Sequence, residues 1–236
     1  MTKLQNELHP VQVEILRSLL FSVGLSFSEL NKRCGVESNK LTFHLKQLEV
    51  ARLVAKDGVK YSLTTSGKEY ANQLDTQKNK LEKQPKTSVI LVIERTNARG
   101  EKEYLHQKRL KHPWFGYYVY VTGKVSWGES VFNTAARELN EETGLSGEFD
   151  LVAVSHERDI VEDSGNILED KVFFVMYCKN PTGELIQTEE AENVWISKDD
   201  FLSRKTIDGA ARLYDYINAE RVVFEENEYF FDEADF

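Results

Sequence analysis

The stretch GKVSWGESVFNTAARELNEETGL, at positions 123–145, constrains the fold of this chain more than any other segment. Its spacing predicts a helix that starts near Gly128 and stops at Gly144, because glycine is common just beyond a helix end. An apolar stripe recurs at i, i+3 and i+7 of this helix and is expected to face the core. The stripe consists of Phe132, Ala135 and Leu139.

Three glutamates lie beside that stripe. Glu138, Glu141 and Glu142 are spaced i, i+3 and i+4, which places them on one arc of roughly 100° of the helix. Carboxylates at the edge of a buried face repel one another and resist ionising together, and a divalent cation would remove that conflict. Oxygen ligands without a nearby His or Cys favour Mg²⁺, with Mn²⁺ as the second choice.

The same stretch fits the pattern G-x5-E-x7-R-E-U-x-E-E-x-G-U, where U is an apolar residue, at every defined position. Seven fixed residue types at about 7% usage each match by chance on the order of 10⁻⁸ per starting position. This pattern is the Nudix box, and the segment resembles the Nudix hydrolase family. The matching residues are Gly123, Glu129, Arg137, Glu138, Leu139, Glu141, Glu142, Gly144 and Leu145.

The resemblance implies a catalytic mechanism and a set of metal ligands. Nudix enzymes activate a water that attacks one phosphorus of a nucleoside diphosphate linked to a moiety X. In that family the three box glutamates bind metal, one of them can orient or deprotonate the water, and the carbonyl of the first glycine, here Gly123, adds a ligand. Glu129 and Arg137 are expected to pair with each other and fix the loop against the helix.

Two alternatives to catalysis remain open from the sequence. An exposed, solvated acidic helix is the usual explanation for a run of charges, but it does not account for the glycines and the arginine at fixed offsets. The second alternative is an intact box that binds a ligand without turnover.

Length and charge indicate two domains. At 236 residues the chain is long for one domain. Residues 1–87 carry 14 Lys and Arg against 9 Asp and Glu, whereas the remainder carries 16 against 30, so a basic module precedes an acidic one. Cys34 and Cys178 lie far apart, and no apolar run of 18 residues or signal-peptide core occurs. We therefore expect a reduced, cytoplasmic protein with no membrane partner and no structural disulfide.

The first 75 residues have the element order of a winged helix-turn-helix domain. Helices are predicted over 11–21, over 27–34 with Ser28 as N-cap, and over 38–49 with its leucines facing the core. A hairpin follows around Asp57-Gly58, and a last helix from Thr65 or Ser66 is predicted to run to Lys83. The core-facing leucines of the third helix are Leu41, Leu45 and Leu48.

This segment resembles the winged-helix repressors of the ArsR and MarR types. The matching residues are His44, Leu45, Leu48, Leu53, Val54, Leu63, Thr64 and Gly67. Arg52 departs from the pattern, since those families usually carry glycine there. The resemblance implies binding to double-stranded DNA, and the alternative is a protein–protein or dimerisation module. His44 is expected at the boundary between helix and core, with a sensor role as the alternative.

If the module binds DNA, its third helix would enter the major groove and its hairpin would add phosphate or minor-groove contacts. The residues expected to contact DNA are Asn39, Lys40, Thr42, Phe43, Lys46, Gln47, Lys56 and Lys60.

The rest of the chain is predicted to complete a Nudix α/β/α sandwich with a mixed sheet. Residues 76–86 are expected to form a helical linker, 87–222 the Nudix domain, and 223–236 an acidic aromatic tail that is disordered by composition. Strands are expected at 87–97, 101–110, 117–123, 151–160, 171–179 and near 193–196, with a helix over roughly 207–221.

Further site residues are suggested outside the box. Glu189 or Glu190 is a candidate for an additional metal ligand from a loop. His106, Lys108 and Arg109 could meet substrate phosphates, although basic residues also protect the edge of a sheet. The aromatics of 112–118 could stack on a base or simply pack.

Three functions therefore compete. The first is a Mg²⁺- or Mn²⁺-dependent Nudix pyrophosphohydrolase acting on a nucleotide-type diphosphate, with a winged helix attached. The second is a transcription regulator whose Nudix domain senses a nucleotide-like ligand. The third is a binding protein whose winged helix dimerises without DNA. A homodimer is expected in each case.

Overall fold

The chain divides into two compact units. The computed structural model describes residues 8–75, 80–81 and 83–232, and its units are Met1–Lys83 and Gln84–Phe236. None of the helices in these described ranges is both long and apolar enough to cross a membrane.

The N-terminal unit combines helices with a small antiparallel sheet in the order β1-β3-β2. Its helices are α1 (Pro10–Leu20), α2 (Phe27–Cys34), α3 (Ser38–Val50) and α4 (Thr65–Asn72), and its strands are β1 (Leu25–Ser26), β2 (Val54–Asp57), β3 (Lys60–Leu63), β4 (Leu74–Asp75) and β5 (Lys80–Leu81).

The core of this unit forms where α3 meets α1. Leu41, Leu45 and Leu48 of α3 are buried, as their helical spacing predicts, and they join Ile15 and Leu16 of α1 in one cluster. The hairpin predicted around Asp57-Gly58 is also present as β2 and β3. The sequence did not reveal β1, a two-residue strand that pairs with β3.

Two helix boundaries in this unit differ from the sequence prediction. Ser26, and not Ser28, caps α2, because its hydroxyl accepts from the amide of Glu29 while the Glu29 carboxylate accepts from Ser26. The last helix ends at Asn72 and does not reach Lys83. Leu74, which follows it, is buried in the core and belongs to a short strand paired with β5.

The predicted helical linker over 76–86 is therefore wrong where the structure describes it. Residues 80–81 form β5, and the long strand that opens the second unit already begins at Lys86. Residues 76–79 and 82 lie outside the described part of the chain.

Arg52 adopts a backbone conformation that explains the glycine of the resembling families. Its φ is 59°, in the left-handed region that glycine occupies most easily. The turn is closed by hydrogen bonds from Arg52 N to Glu49 O and from Leu53 N to Leu48 O, both 2.9 Å. The departure at this position is therefore a local backbone strain and leaves the turn in place.

The second unit is built on an eight-stranded mixed sheet in the described residues, with the main order β14-β7-β6-β12-β11-β15, β8 beside β7 and β9 beside β6. The β6–β12 and β11–β15 pairs are parallel and the other pairs of this sheet are antiparallel. The eight strands are β6 (Lys86–Thr96), β7 (Lys102–Arg109), β8 (Tyr118–Val119), β9 (Val121–Lys124), β11 (Asp150–Val161), β12 (Ile167–Lys179), β14 (Ala191–Ile196) and β15 (Val223–Phe231). Two further short strands, β10 (Leu145–Ser146) and β13 (Thr182–Gly183), pair with each other in a separate sheet.

Helical segments cover both faces of this sheet, as the predicted α/β/α sandwich requires. They are α5 (Val131–Thr143), α6 (Lys198–Leu202), a 3₁₀ turn (Ala210–Arg212) and α7 (Leu213–Tyr216). Strand β6 is buried on both faces: Leu91 packs with Leu139 of α5, and Val92 packs with Phe201 of α6. The mixed sheet between helices is confirmed.

The acidic tail is an edge strand, contrary to the expectation of disorder. Residues 223–231 form β15, which pairs in parallel with β11. Its acidic side chains meet basic ones on β11: Glu226 lies 3.1 Å from His156, and Glu228 lies 2.8 Å from Arg158. The alternation of side chains along β15 and its charge pairs with β11 therefore stabilise a strand despite the acidic composition. Residues 233–236 lie outside the described chain.

Two further expectations in this unit are wrong. The helix predicted over 207–221 is replaced by the short 3₁₀ turn and α7, which together cover 210–216. Phe132 is 49% exposed, whereas Ala135 and Leu139 are fully buried. Val131, one residue earlier, packs against the core in place of Phe132.

Replacing Gly67 by alanine tests the packing of α4. A Cβ atom at Gly67 would overlap the carbonyl oxygen of Leu53, which is backbone and cannot move aside easily. We expect Gly67→Ala to destabilise the N-terminal unit by about 1–3 kcal/mol or more, the range of overpacked cores. Chemical denaturation measures it, with the exposed neighbour Ser66→Ala as control. Equal stability of the two variants would contradict this packing.

Candidate active site

The box runs from Gly123 in β9 through the following loop and the whole of α5 to Leu145 in β10. Ser130 caps the helix by accepting a hydrogen bond from the amide of Asn133 at 3.2 Å. The helix ends at Gly144, whose φ of 73° lies in the left-handed region. Both ends of the helix therefore lie close to the positions that the sequence predicts.

Arg137 connects the box loop to the helix through five hydrogen bonds. Its Nε and Nη2 donate to the two carboxylate oxygens of Glu129, each at 2.9 Å. Nη1 donates to Glu138 at 2.7 Å and to Glu141 at 3.0 Å, and Nη2 donates to the carbonyl of Lys124 at 3.2 Å. The expected Glu129–Arg137 pair is thus present and bidentate. Hydrogen bonds from Arg137 and Thr134 lower the pKa of Glu129 to about 2.

Glu138 lies directly against Gly123. A Cβ atom at Gly123 would overlap the Glu138 carboxylate, so only glycine leaves room for this side chain. The Glu138 side chain is 12% exposed. Burial raises its pKa, the charges of Glu141 and Glu142 raise it further, and Arg137 opposes the shift.

The structure supports Glu142 through two residues that the sequence did not reveal. Gln107 Nε2 donates to Glu142 Oε2 at 3.3 Å, and Asn193 Nδ2 donates to the Glu142 carbonyl at 2.7 Å. Asn193 is 5% exposed and also donates to the carbonyl of Ile186. Asn193 is a polar residue at a position of β14 that alternation predicts to be buried. This pattern is the sequence signal that could have identified it.

The donor set fits a hard divalent cation. The box supplies the carboxylates of Glu138, Glu141 and Glu142 and the backbone of Gly123, all oxygen donors. The mutual repulsion recorded at Glu138 is the conflict that a cation relieves. Within residues 8–75, 80–81 and 83–232, no three His, Cys, Asp or Glu side chains converge on a ready metal position. Arg137 lies between Glu138 and Glu141, so Arg137 is the positive charge that they share here.

A cavity of about 630 Å³ opens beside the box. Gly123, Glu138 and Glu142 line it, together with apolar side chains that include Trp114 and Phe173. Five basic residues also line the cavity and could contact an anionic ligand; they are Lys86, Arg109, Lys111, Lys124 and Lys171. Six acidic residues line it as well: Glu138, Glu142, Glu157, Asp159, Glu169 and Asp208.

His106 is not a phosphate ligand, which corrects the sequence prediction. It is fully buried, stacks on Phe201 with 3.6 Å between ring centroids, and its Nε2 lies 2.9 Å from the Tyr214 hydroxyl. Burial lowers the pKa of His106 to about 3, so its imidazole is neutral at physiological pH.

Strand alternation separates the three predicted phosphate contacts. Gln107 and Arg109 face Glu142, whereas His106 turns to the opposite side of β7. Arg109 lines the cavity and donates from Nε to the Pro113 carbonyl at 2.8 Å. Lys108 lies outside the cavity lining and pairs with Glu192 at 3.6 Å. Of these three residues, Arg109 alone lines the cavity and stays a candidate contact for a substrate phosphate.

Glu189 and Glu190 are not brought to the box. Both are exposed and neither lines the cavity. Glu190 forms an ion pair with Lys111, and its carbonyl accepts from the amide of Leu110. Pairing between β7 and β14 holds this loop at the edge of the sheet.

The residues expected to contact DNA are all exposed on α3 and on the β2–β3 hairpin. Two of them form hydrogen bonds: Thr42 donates to the Ser38 carbonyl at 2.8 Å, and Gln47 accepts from Gln12 at 3.1 Å. Phe43 contacts the His44 ring, and Lys56 lies over the Tyr61 ring. His44 is buried and stacks on His9, with burial lowering its pKa. The exposed residues are Asn39, Lys40, Thr42, Phe43, Lys46, Gln47, Lys56 and Lys60.

Comparison with known families agrees with the fold and the box. The model of the NUDIX domain family matches residues 85–217, which is more than half of the chain. The chain therefore belongs to the Nudix family. Residues 5–74 match a domain of unknown function, DUF7347. Comparison with curated proteins gives no match.

Two solved structures illustrate the likeness of fold. The MutT protein from Bacillus halodurans is 20% identical, with a TM-score of 0.51, over 63% of this chain and 92% of that one. The NUDIX domain of Shewanella oneidensis NrtR, solved with ADP ribose, is 17% identical, with a TM-score of 0.51, over 66% of this chain and 97% of that one. At these identities the likeness shows the fold alone.

Replacing Glu138 by glutamine separates stability from ligand binding. A carboxyl whose pKa is raised on folding stabilises the protein below its unfolded pKa and loses that contribution as pH rises through the folded pKa. At pH 7.5 the ionised Glu138 is thus destabilising, and we expect Glu138→Gln to raise Tm in EDTA, by roughly 2–4 °C for each kcal/mol relieved.

Differential scanning fluorimetry between pH 4 and 8 measures this effect. The gain should shrink towards pH 4, where the wild-type carboxyl becomes protonated. The exposed Glu148→Gln is the matched control. A lower Tm for Glu138→Gln across this range would mean that the ion pair with Arg137 outweighs burial and repulsion.

Proposed function

We propose that the protein is a metal-dependent Nudix pyrophosphohydrolase that cleaves a nucleoside diphosphate linked to a moiety X. The observation that carries this proposal is the position of Glu138 and Glu142. Both line one cavity with Gly123, and basic residues that suit a diphosphate line the same cavity.

The box residues have distinct roles in this proposal. Glu138, Glu141, Glu142 and the carbonyl of Gly123 would hold Mg²⁺, or Mn²⁺ as the second choice. The chemistry that such an ion supplies is neutralisation of phosphate charge and a lower pKa for a bound water. Arg137 positions Glu138 and Glu141, and Glu129 holds Arg137 in place.

One of the box glutamates would orient or deprotonate the attacking water. Arg109, which lines the cavity, would bind the diphosphate oxygens and hold the reacting phosphorus near the box. The X-linked nucleotides to be tested include ADP-ribose, because the Shewanella oneidensis domain was solved with that ligand.

A screen over nucleoside diphosphates linked to X tests the hydrolase. Cleavage yields two phosphomonoesters, so added alkaline phosphatase, which does not attack the capped diphosphate, converts them to measurable phosphate. We expect Mg²⁺-dependent turnover that falls by roughly 100-fold or more in Glu141→Gln and in Glu142→Gln, the scale of losing one preorganised charge contact in a transition state. Glu148→Gln, on the exposed turn after the box, should keep wild-type activity. The same background rate in wild type and in both box variants would refute the hydrolase and favour a ligand sensor.

A second candidate function is DNA binding by the N-terminal unit. We propose that this unit is a winged helix-turn-helix domain, supported by the order α1–β1–α2–α3–β2–β3–α4 and by the exposed polar and basic side chains of α3. In that case the Nudix unit would provide the ligand response of a transcription regulator. The alternative is that the N-terminal unit is a dimerisation module.

Salt-dependent retention on double-stranded DNA distinguishes the two readings of this unit. We expect Lys40→Ala with Lys46→Ala to weaken binding and to reduce the slope of log K against log salt by about 1 for each lysine. Lys179→Ala with Lys198→Ala, exposed on the other unit, is the charge-matched control. Absence of retention at low salt, together with a concentration-dependent dimer in sedimentation, would favour dimerisation.

A further inference from the structure

The cavity has a second polar surface on the sheet, formed by β11 and β15. Glu157 and Asp159 are two residues apart on β11 and therefore share one face, and Tyr229 of β15 lies directly opposite Asp159 in the parallel register. All three side chains line the cavity. We call Glu157, Asp159 and Tyr229 the floor triad.

Tyr229 is a buried polar side chain whose hydroxyl lacks a protein partner. The residue is 9% exposed, and its hydroxyl forms no hydrogen bond with the described part of the chain. Gly209 lies so close that a Cβ atom there would overlap this hydroxyl, and Arg212 lies over the ring at 5.8 Å. The ring is thus fixed from two sides, and its hydroxyl remains available for a ligand.

The two carboxylates of the floor triad are short of hydrogen-bond donors. Glu157 accepts from the Ser155 hydroxyl at 2.8 Å, while no donor among the described residues reaches Asp159. Burial raises the pKa of both carboxyls. Lys171 opposes the shift at each of them, and the Ser155 hydrogen bond and Arg212 also oppose it at Glu157. Lys171 also forms an ion pair with Glu169. Half-buried acceptors with few donors gain from a ligand that brings hydroxyl groups.

Acidic and basic side chains are mixed around the cavity. At the floor triad the nearest lining cation is Lys171, which lies opposite Glu157 on β12 and also pairs with Glu169. The acids there outnumber this cation, so a phosphate at the floor triad would meet net negative charge. The floor triad therefore suits an uncharged group that donates hydrogen bonds.

We propose that the floor triad binds vicinal hydroxyl groups of a sugar that is attached to the diphosphate. Glu157 and Asp159 accept from the two hydroxyls, and the Tyr229 hydroxyl completes the contact. The placement of the diphosphate rests on the proposed hydrolase function. The sugar is either the ribose of the nucleoside or a sugar in the X moiety, and the shared chemistry is the vicinal diol.

Isothermal titration calorimetry in EDTA tests this proposal without turnover. ADP-ribose, ADP and 2′,3′-dideoxy-ADP are titrated into the full-length wild type, Asp159→Asn, Glu157→Gln and Tyr229→Phe. A hydrogen bond to a charged acceptor is worth about 1.5–3 kcal/mol, so we expect Kd for ADP-ribose to rise at least tenfold in the two acid variants. Tyr229→Phe should have a smaller effect, and Asp163→Asn, exposed beyond the end of β11, should have none.

The three ligands identify the source of the diol. If the nucleoside ribose supplies it, ADP loses affinity in the acid variants as ADP-ribose does, and 2′,3′-dideoxy-ADP does not respond. If the X sugar supplies it, only ADP-ribose responds. Thermal unfolding of each variant shows that it is folded, and Asp159→Asn should unfold no earlier than wild type, because its ionised carboxyl is destabilising.

Three results would overturn the proposal: unchanged affinities in both acid variants, an equal loss for 2′,3′-dideoxy-ADP and ADP, or no binding of ADP-ribose or ADP to the wild type. None of these results would refute the proposed hydrolase function, since cleavage of other diphosphates is measured separately. Conversely, diol-dependent binding without Mg²⁺-dependent turnover would support the floor triad and refute hydrolysis.

Discussion

The guanidinium of Arg137 is the contact on which the candidate site depends. It binds both oxygens of Glu129, which fixes the loop after β9, and it reaches Glu138 and Glu141 on its own helix. A single exposed ion pair contributes little to stability, with a typical value of about 0–1 kcal/mol. A planar donor shared among three carboxylates differs, because it fixes their relative positions as well as lowering their repulsion. Lysine could not reproduce this geometry.

Features set by local spacing could be predicted from the sequence. The C-terminal end of α5 follows from Gly144, and the buried face of α3 follows from leucines three and four residues apart. The Glu129–Arg137 pair also follows, since both residues belong to one short motif. Such features need only the helical repeat and the chemistry of residues close in the chain.

Features that depend on pairing between distant segments could not be predicted. His106 lies in the core beneath Phe201 because β7 alternates in one register, and a shift by one residue would have placed it toward the box. Asn193 supports the Glu142 carbonyl from a strand 51 residues away. The composition of residues 223–231 suggested disorder, because the sequence does not show that His156 and Arg158 lie beside their acids.

The same carboxylates that lower the stability of the folded protein at neutral pH make the cavity selective for a ligand. Glu138, Glu157 and Asp159 all have a raised pKa, with burial as the main cause, and all line one cavity. Each ionised carboxylate therefore lowers stability at neutral pH unless a cation or a hydroxyl donor compensates for it. A diphosphate without a sugar diol would relieve only the box end, and a free sugar would relieve only the floor triad. A ligand that carries both groups relieves both ends together, so the cavity should discriminate by the combination of diphosphate and diol more than by either group alone.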